Sequence, residues 1–344
     1  MIMNQDINIV IDIDIPFIKS IFEPYCNVKY YKGADFTNSN VKDADALIVR
    51  TRTKCNRELL EGTSVKFIAT ATIGLDHIDL DYAKEKGIVV VNAAGCNSGG
   101  VMQYVFTAIY SLAHKLSIPL SNKTLGVVGC GNVGSKVVKL AEKLGFRVLK
   151  NDPPKELLDP NGGYVNLDKL LAESDIVTLH TPLDSTTENL ASYNFFQKIK
   201  DGAIFINSSR GEVVDDDALL AHRDKLSGVV IDVWRDEPNV NINLLNASDI
   251  ATYHIAGYSL QGKINATVLS VRAVAEFFNI YQLTEFEIPT EIKFLDFSNK
   301  SQAEILVLLN NFYEIYRDDL KLRSNPKNFE NYRSKYNYRD EFTF

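Results

Sequence analysis

The chain has 344 residues, 45% of them hydrophobic and 24% charged, with a formal net charge of −7. At roughly 100–200 residues per domain, this length predicts about two domains, each with a core of useful size. The acidic balance argues against nucleic acid as the main partner, which needs a basic face. No apolar run reaches the ~18–20 residues of a membrane-spanning helix. The amino-terminal stretch MIMNQDINIVIDIDIP carries acids where a signal peptide carries bases.

In chain order, INIVIDID predicts a strand, PFIKSIFEPY a helix, and DALIVR, KFIATAT and GIVVVNA three further strands. Short apolar runs bounded by glycine or polar turns suit a parallel sheet buried on both faces. SGGVMQYVFTAIYSLAHKL, residues 98–116, predicts a long helix. A second alternating series follows: TLGVVGC, FRVLKND, DIVTLHT, GAIFINS and SGVVIDVW. The expected class is therefore α/β, with two doubly wound parallel-sheet domains. Beyond about residue 286 the character changes. SQAEILVLLNNFYEIYRDDLKLR places Ile305, Leu308, Leu309, Phe312 and Tyr316 on one helical face. The last twenty residues, rich in Tyr, Arg, Lys and Asn, carry no clear periodicity. Cys26, Cys55, Cys96 and Cys130 are scattered without metal-ligand spacing, and so are the five histidines. The expectation is reduced thiols, a cytoplasmic setting and no metal site.

Gly129, Gly131 and Gly134 stand in G-x-G-x-x-G spacing between a predicted strand and a predicted helix. A second strand ends in Asp152, 23 residues after the first glycine. In that context the motif predicts a dinucleotide site: Gly129 for the tight turn, Gly131 for close approach of a pyrophosphate, Gly134 for helix–strand packing. Asp152 would accept hydrogen bonds from ribose hydroxyls and repel a 2′-phosphate, which favours NAD over NADP; Lys155 nearby weakens that preference.

Three later strand ends carry polar groups: Arg210 in INSSRGEVVD, Asp232 and Glu237 in VVIDVWRDEP, and His254 in TYHIAGYSLQGK. In a doubly wound sheet, ligands bind outside the carboxyl ends of the strands. Oxidising a hydroxyl to a carbonyl removes a proton and a hydride. Histidine titrates near neutrality and can take the proton. Glu237 would favour the charged imidazolium and orient it. Arg210 offers a fork of donors for a carboxylate or developing alkoxide. His180 in LHTPL competes for the acid–base role.

GVVGCGNVG, HTPL, INSSRGEVVD, DVWRDEP and HIAG, in this order, resemble the D-isomer-specific 2-hydroxyacid dehydrogenases. The resemblance implies Arg210, Glu237 and His254 as catalytic residues. It implies NAD contacts at Asn132 and Val133 in the glycine turn, and at Asp152, Thr181, Ser208, Ser209, Arg210, Asp232 and Gly257. KFIATATIGLDHID, AGCNSGGVMQYVF, NDPP and HIAGYSLQGK are similar to a branch of the family that acts on a small phosphorylated 2-hydroxyacid, with substrate contacts at Thr51, Thr72 and Tyr258. The resemblance also implies a flavodoxin-like substrate domain (1–97 and 256–285), a Rossmann NAD-binding domain (98–255) and a small C-terminal dimerisation domain (286–344), hence a homodimer. Gln103 replaces a usual Glu, and Tyr253 stands where Pro is common before the histidine. Arg50, Arg52 and Lys54 are the candidate cations for the substrate's phosphate, and Lys263 stays unassigned. The alternatives are a dehydrogenase for glycerate or 3-phosphoglycerate, and a non-catalytic NAD-sensing scaffold.

Overall fold

The computed structural model describes residues 7–344. Five strands, β1 (Asn8–Asp12), β2 (Asn27–Tyr31), β3 (Ala46–Val49), β4 (Phe67–Thr70) and β5 (Val89–Asn92), pair in parallel in the order β2-β1-β3-β4-β5. This is the flavodoxin-like order. Successive strand residues point to opposite faces, and the two faces carry separate cores. Ile9, Ile11, Ile48, Phe67 and Ala69 pack with Val271, Val274 and Ala275 of the helix Leu260–Phe277 on one face. Val10, Leu47, Val49 and Ile68 pack with Val41, Leu59 and Tyr82 on the other.

A second parallel sheet contains β6 (Thr124–Val128), β7 (Arg147–Asn151), β8 (Ile176–Leu179), β9 (Ile204–Asn207), β10 (Gly228–Ile231) and β11 (Ile250–Ala251), in the order β11-β10-β9-β8-β6-β7. An isolated parallel bridge from Tyr164 to Lys150 stands beyond β7, where a Rossmann sheet has its third strand. The helix Ser98–Lys115 is buried from Ser98 to Ala113 and shares the core of this sheet, as expected of a helix apolar on all sides.

Contacts divide the chain into two compact units: residues through Asn97 with Leu260–Glu291, and Ser98–Ser259 with Ile292–Phe344. The C-terminal segment from Ile292 thus packs as part of the nucleotide-type unit rather than as a body of its own. Its strands β12 (Lys293–Phe294) and β13 (Phe342–Thr343) pair with each other.

Two expected helices differ. PFIKSIFEPY forms turns, because Pro16 and Pro24 bracket it and Phe17 and Ser20 adopt φ of 62° and 65°. The C-terminal amphipathic run splits into Gln302–Asn310 and Ile315–Ser324. The break lets Leu309, Tyr313 and Ile315 all face the core, at 0%, 5% and 1% exposure, which one straight helix would not allow. No helix among the described residues is long and apolar enough to cross a membrane.

Candidate active site

β6 lies between β7 and β8, so the strand order reverses at its carboxyl end and opens a crevice there. The glycine turn sits at that point. Gly129 has φ +85°, and an added Cβ would lie 2.7 Å from the His180 carbonyl oxygen at the end of β8. A Cβ on Gly134 would lie 1.9 Å from the Gly129 carbonyl, so helix Asn132–Lys143 can only close on the turn with glycine there. Gly131, by contrast, has no atom within 4 Å of a Cβ position. No side chain caps that helix, and the amides of its first turn, at Asn132 and Val133, face an open approach.

Asp152, after β7, accepts from the Cys130 amide on Oδ2 (2.8 Å) and from the Lys155 amide on Oδ1 (3.1 Å). Each oxygen keeps a lone pair, and the two amides fix the carboxylate beside the glycine turn. Lys155 Nζ donates to the Cys130 carbonyl, so its charge lies against the turn. Two further hydroxyls, Thr181 Oγ1 after β8 and Ser208 Oγ after β9, are buried without a hydrogen-bond partner. Buried polar atoms are rarely orphaned unless something is missing from the site. The open glycine, the oriented carboxylate and these hydroxyls fit a dinucleotide.

His180, at the end of β8, has a hydroxyl rather than a carboxylate for its partner. Its Nε2 lies 3.1 Å from Thr178 Oγ1, and burial holds its pKa down to about 3, so it stays neutral. His254 has a carboxylate partner: Nδ1 lies 2.7 Å from Glu237 Oε2 and 3.0 Å from Oε1. Nδ1 therefore carries the proton, and Nε2 presents a lone pair. Burial alone would raise the Glu237 pKa. Attraction to His254 in its protonated form, the His254 hydrogen bond, Arg333 and the Trp234 amide outweigh it and hold Glu237 below the ordinary carboxylate range.

Arg210 follows β9 in a turn closed by Asn207, whose Nδ2 donates to the Arg210 carbonyl and whose Oδ1 accepts from the Ser209 amide and hydroxyl. A Cβ on Gly211 would lie 2.1 Å from the Trp234 backbone, so this turn packs directly on the segment leading to Glu237.

Asp232 is fully buried and faces the histidine loop. Its Oδ1 accepts from the Thr252 hydroxyl (2.6 Å) and the Ile255 amide (2.9 Å), its Oδ2 from the Ala256 amide (2.8 Å), and its carbonyl from the His254 amide (2.7 Å). His254 itself has φ 58°, an uncommon conformation for a residue with a Cβ. These bonds hold it there. Gly257 and Tyr258 continue the same loop.

The C-terminal segment grips that loop from the other side, which its sequence did not announce. Tyr253 donates to Asp318 Oδ1, and its ring packs against Tyr332 and Tyr336. Arg339 donates to the carbonyls of Ile255, Ala256 and Gly100. The Ser259 hydroxyl donates to Glu341 Oε1 (2.6 Å), and Gln103 Nε2 reaches the Asp340 carbonyl (3.1 Å). The two unusual residues of the sequence, Gln103 and Tyr253, are thus both contacts to this segment. Arg333 Nη1 lies 3.8 Å from Glu237 Oε2, with the guanidinium 5.7 Å from the centre of the Tyr258 ring.

In the first unit, Thr51, Arg52 and Lys54 are exposed on the loop after β3, and Arg50 Nη1 donates to the Asp14 carbonyl (2.8 Å). Thr72 shares a 2.7 Å hydrogen bond with Thr70. All four cysteines are free and buried, and no cluster among the described residues could hold a metal.

Residues 103–256 match the family described as D-isomer specific 2-hydroxyacid dehydrogenase, NAD binding domain. A solved structure of NAD+-bound 3-phosphoglycerate dehydrogenase from Entamoeba histolytica is similar over 83% of this chain and 100% of its own, with TM-score 0.68 and 27% identity. Fold and site together define an NAD-dependent oxidoreductase of the 2-hydroxyacid dehydrogenase class. The chain is also 45% identical to an erythronate-4-phosphate dehydrogenase of Bacteroides thetaiotaomicron and 43% identical to one of Bacteroides fragilis, over 97% of both chains in each case. It belongs to the erythronate-4-phosphate dehydrogenase family.

Proposed function

We propose that the chain oxidises 4-phospho-D-erythronate at C2, giving (R)-3-hydroxy-2-oxo-4-phosphobutanoate, as a step of pyridoxal 5′-phosphate biosynthesis. The observation that carries this reading is the His254–Glu237 pair at 2.7 Å, on a chain so similar to dehydrogenases named for that substrate. His254 Nε2 takes the proton of the C2 hydroxyl, and Glu237 stabilises the imidazolium that results. Arg210 holds the C1 carboxylate and the developing carbonyl. NAD, when bound, accepts the hydride from C2. The amides at Gly131, Asn132 and Val133 meet the pyrophosphate, and Asp152 the adenosine ribose. Thr181, Ser208, Ser209, Asp232 and Gly257 complete the cofactor contacts of this reading. Thr51, Thr72 and Tyr258 are its substrate contacts, with one of Arg50, Arg52 and Lys54 on the phosphate.

The protein is proposed to be a cytoplasmic homodimer. Phe294, Val307 and Leu320 of the C-terminal segment are 64%, 60% and 65% exposed, which supports a self-association surface there.

The test is NADH formation with 4-phosphoerythronate, glycerate and 3-phosphoglycerate side by side. The expected result is a kcat/KM for 4-phosphoerythronate at least about 100-fold above the other two, the scale set by a polar site left unpaired by the wrong substrate. Preference for 3-phosphoglycerate or glycerate overturns the substrate. No turnover of any of the three overturns the enzyme reading in favour of an NAD-binding scaffold.

A further inference from the structure

Arg333 is the C-terminal side chain placed against the acid–base pair itself; it hydrogen-bonds the Tyr258 side chain, but no hydrogen bond ties it to Glu237. Glu237 already has its partners: Oε2 bonds His254, and Oε1 accepts from His254 and the Trp234 amide. At 3.8 Å, Arg333 Nη1 is too far for a hydrogen bond to Glu237. Its second carboxylate, Glu330, is equally loose at 3.7 Å. Its Nε is buried with no hydrogen-bond partner. A mostly buried cation is costly unless its charge is used, and here the charge lies next to the carboxylate that orients His254.

We propose that Arg333 is a positioning residue of the acid–base pair: its cation weakens the pull of Glu237 on the His254 proton, so that His254 remains an unprotonated base at lower pH than Glu237 alone would permit. The inference rests on the acid–base reading above. The charged and titratable groups facing the pair are few. From the helix Phe329–Ser334 come Arg333 and, behind it, Glu330, which offsets part of the cation. From the histidine loop comes Tyr258, in ring contact with Arg333 and with Tyr336 and Tyr338. From the end of β10 comes Asp232, whose carboxylate is spent on the loop amides and the Thr252 hydroxyl. Arg210, on the turn after β9 that packs against the Trp234 backbone, is a second permanent cation of the site but is unchanged in every variant below, so the sign of Arg333 sets the direction of the shift. The depressed pKa of Glu237, to which Arg333 contributes, agrees with this.

The experiment is kcat/KM against pH for 4-phosphoerythronate oxidation by the wild type, Arg333→Met, Arg333→Lys and His254→Asn, with NAD affinity measured alongside. In the wild type the acid limb reports loss of the neutral base. Arg333→Met is expected to move that limb to higher pH by about 0.5–1 unit, the lower end of what a charge at this distance does. Arg333→Lys should return it most of the way, with KM on the alkaline plateau unchanged in both. An acid limb that stays in place in Arg333→Met overturns the proposal. So does a rise in KM with the limb unmoved, which would assign the guanidinium to the substrate's anionic groups. A wild-type profile without an acid limb, or one unaltered by His254→Asn, overturns the acid–base reading itself. If Arg333→Met does not fold, Arg333→Gln gives the same readout.

Discussion

His254 is fixed by its backbone before its side chain is considered. Its positive φ is maintained by Asp232, which binds the amides of His254, Ile255 and Ala256. The ring then needs one more restraint, and Glu237 supplies it at Nδ1. Glu237 sits below the usual carboxylate range and is anionic near neutral pH. The sign of its effect follows. An anion beside an imidazole favours its charged form. Glu237→Gln should therefore move the acid limb of kcat/KM to lower pH by about one unit, opposite to Arg333→Met, and lower kcat because the ring loses its orientation. A pH–rate titration of the folded variant checks both. An acid limb that moves up instead would mean Glu237 does not carry the negative charge His254 feels.

At the scale of elements, the segment from β11 to Ser259 is held between β10 and the C-terminal segment. Arg339 is its main clamp: 7% exposed, stacked 4.4 Å from the centre of the Tyr313 ring, and donating to three backbone carbonyls. Arg339→Met removes the guanidinium from all three; the Ile255 carbonyl keeps the Tyr258 amide (2.8 Å) and the Gly100 carbonyl its helix, while the Ala256 carbonyl loses its Arg339 donor. At roughly 1–3 kcal/mol for a buried group left unsatisfied, the variant should lose at least about 1 kcal/mol of stability. Urea denaturation measures this, and an unchanged midpoint would mean the clamp contributes nothing. The same elements show what the sequence could and could not reveal. Gly129, Gly131, Gly134 and Asp152 are legible because all four act within one local stretch: Gly129 and Gly134 meet backbone constraints, Gly131 leaves open space and Asp152 bonds the glycine turn. Arg210, Glu237 and His254 are legible as strand-end residues once the alternation is seen. Arg333 and Arg339 are not, because they act across about 80 residues from a polar stretch with no period; their only trace is the pair of odd residues, Gln103 and Tyr253, that receive the segment. The missed turns at 16–25 have a local cause, since two positive-φ residues interrupt a helical pattern that periodicity cannot distinguish.

For the whole molecule, the C-terminal segment is core material. Leu309, Ile315, Leu322 and Phe329 are at most 1% exposed and lie in the same cluster as the β6–β11 strands. Deleting residues 292–344 should therefore abolish the cooperative melt of the nucleotide-binding unit and expose apolar surface that binds a hydrophobic dye. A truncated protein that still binds NAD and melts cooperatively would show the segment to be an appendage.

Arg339 is 84 residues beyond the Ile255 carbonyl it holds. At roughly 5–20 residues per second of synthesis, the histidine loop leaves the ribosome several seconds before its clamp exists. Until then the loop rests on Asp232, on Glu237 at the His254 ring and on the Trp234 indole, which donates to the Thr252 carbonyl. Completion of the catalytic loop is thus a late event in the life of the chain, and any copy cut or stalled before Arg339 lacks the guanidinium that bonds the Ile255 and Ala256 carbonyls.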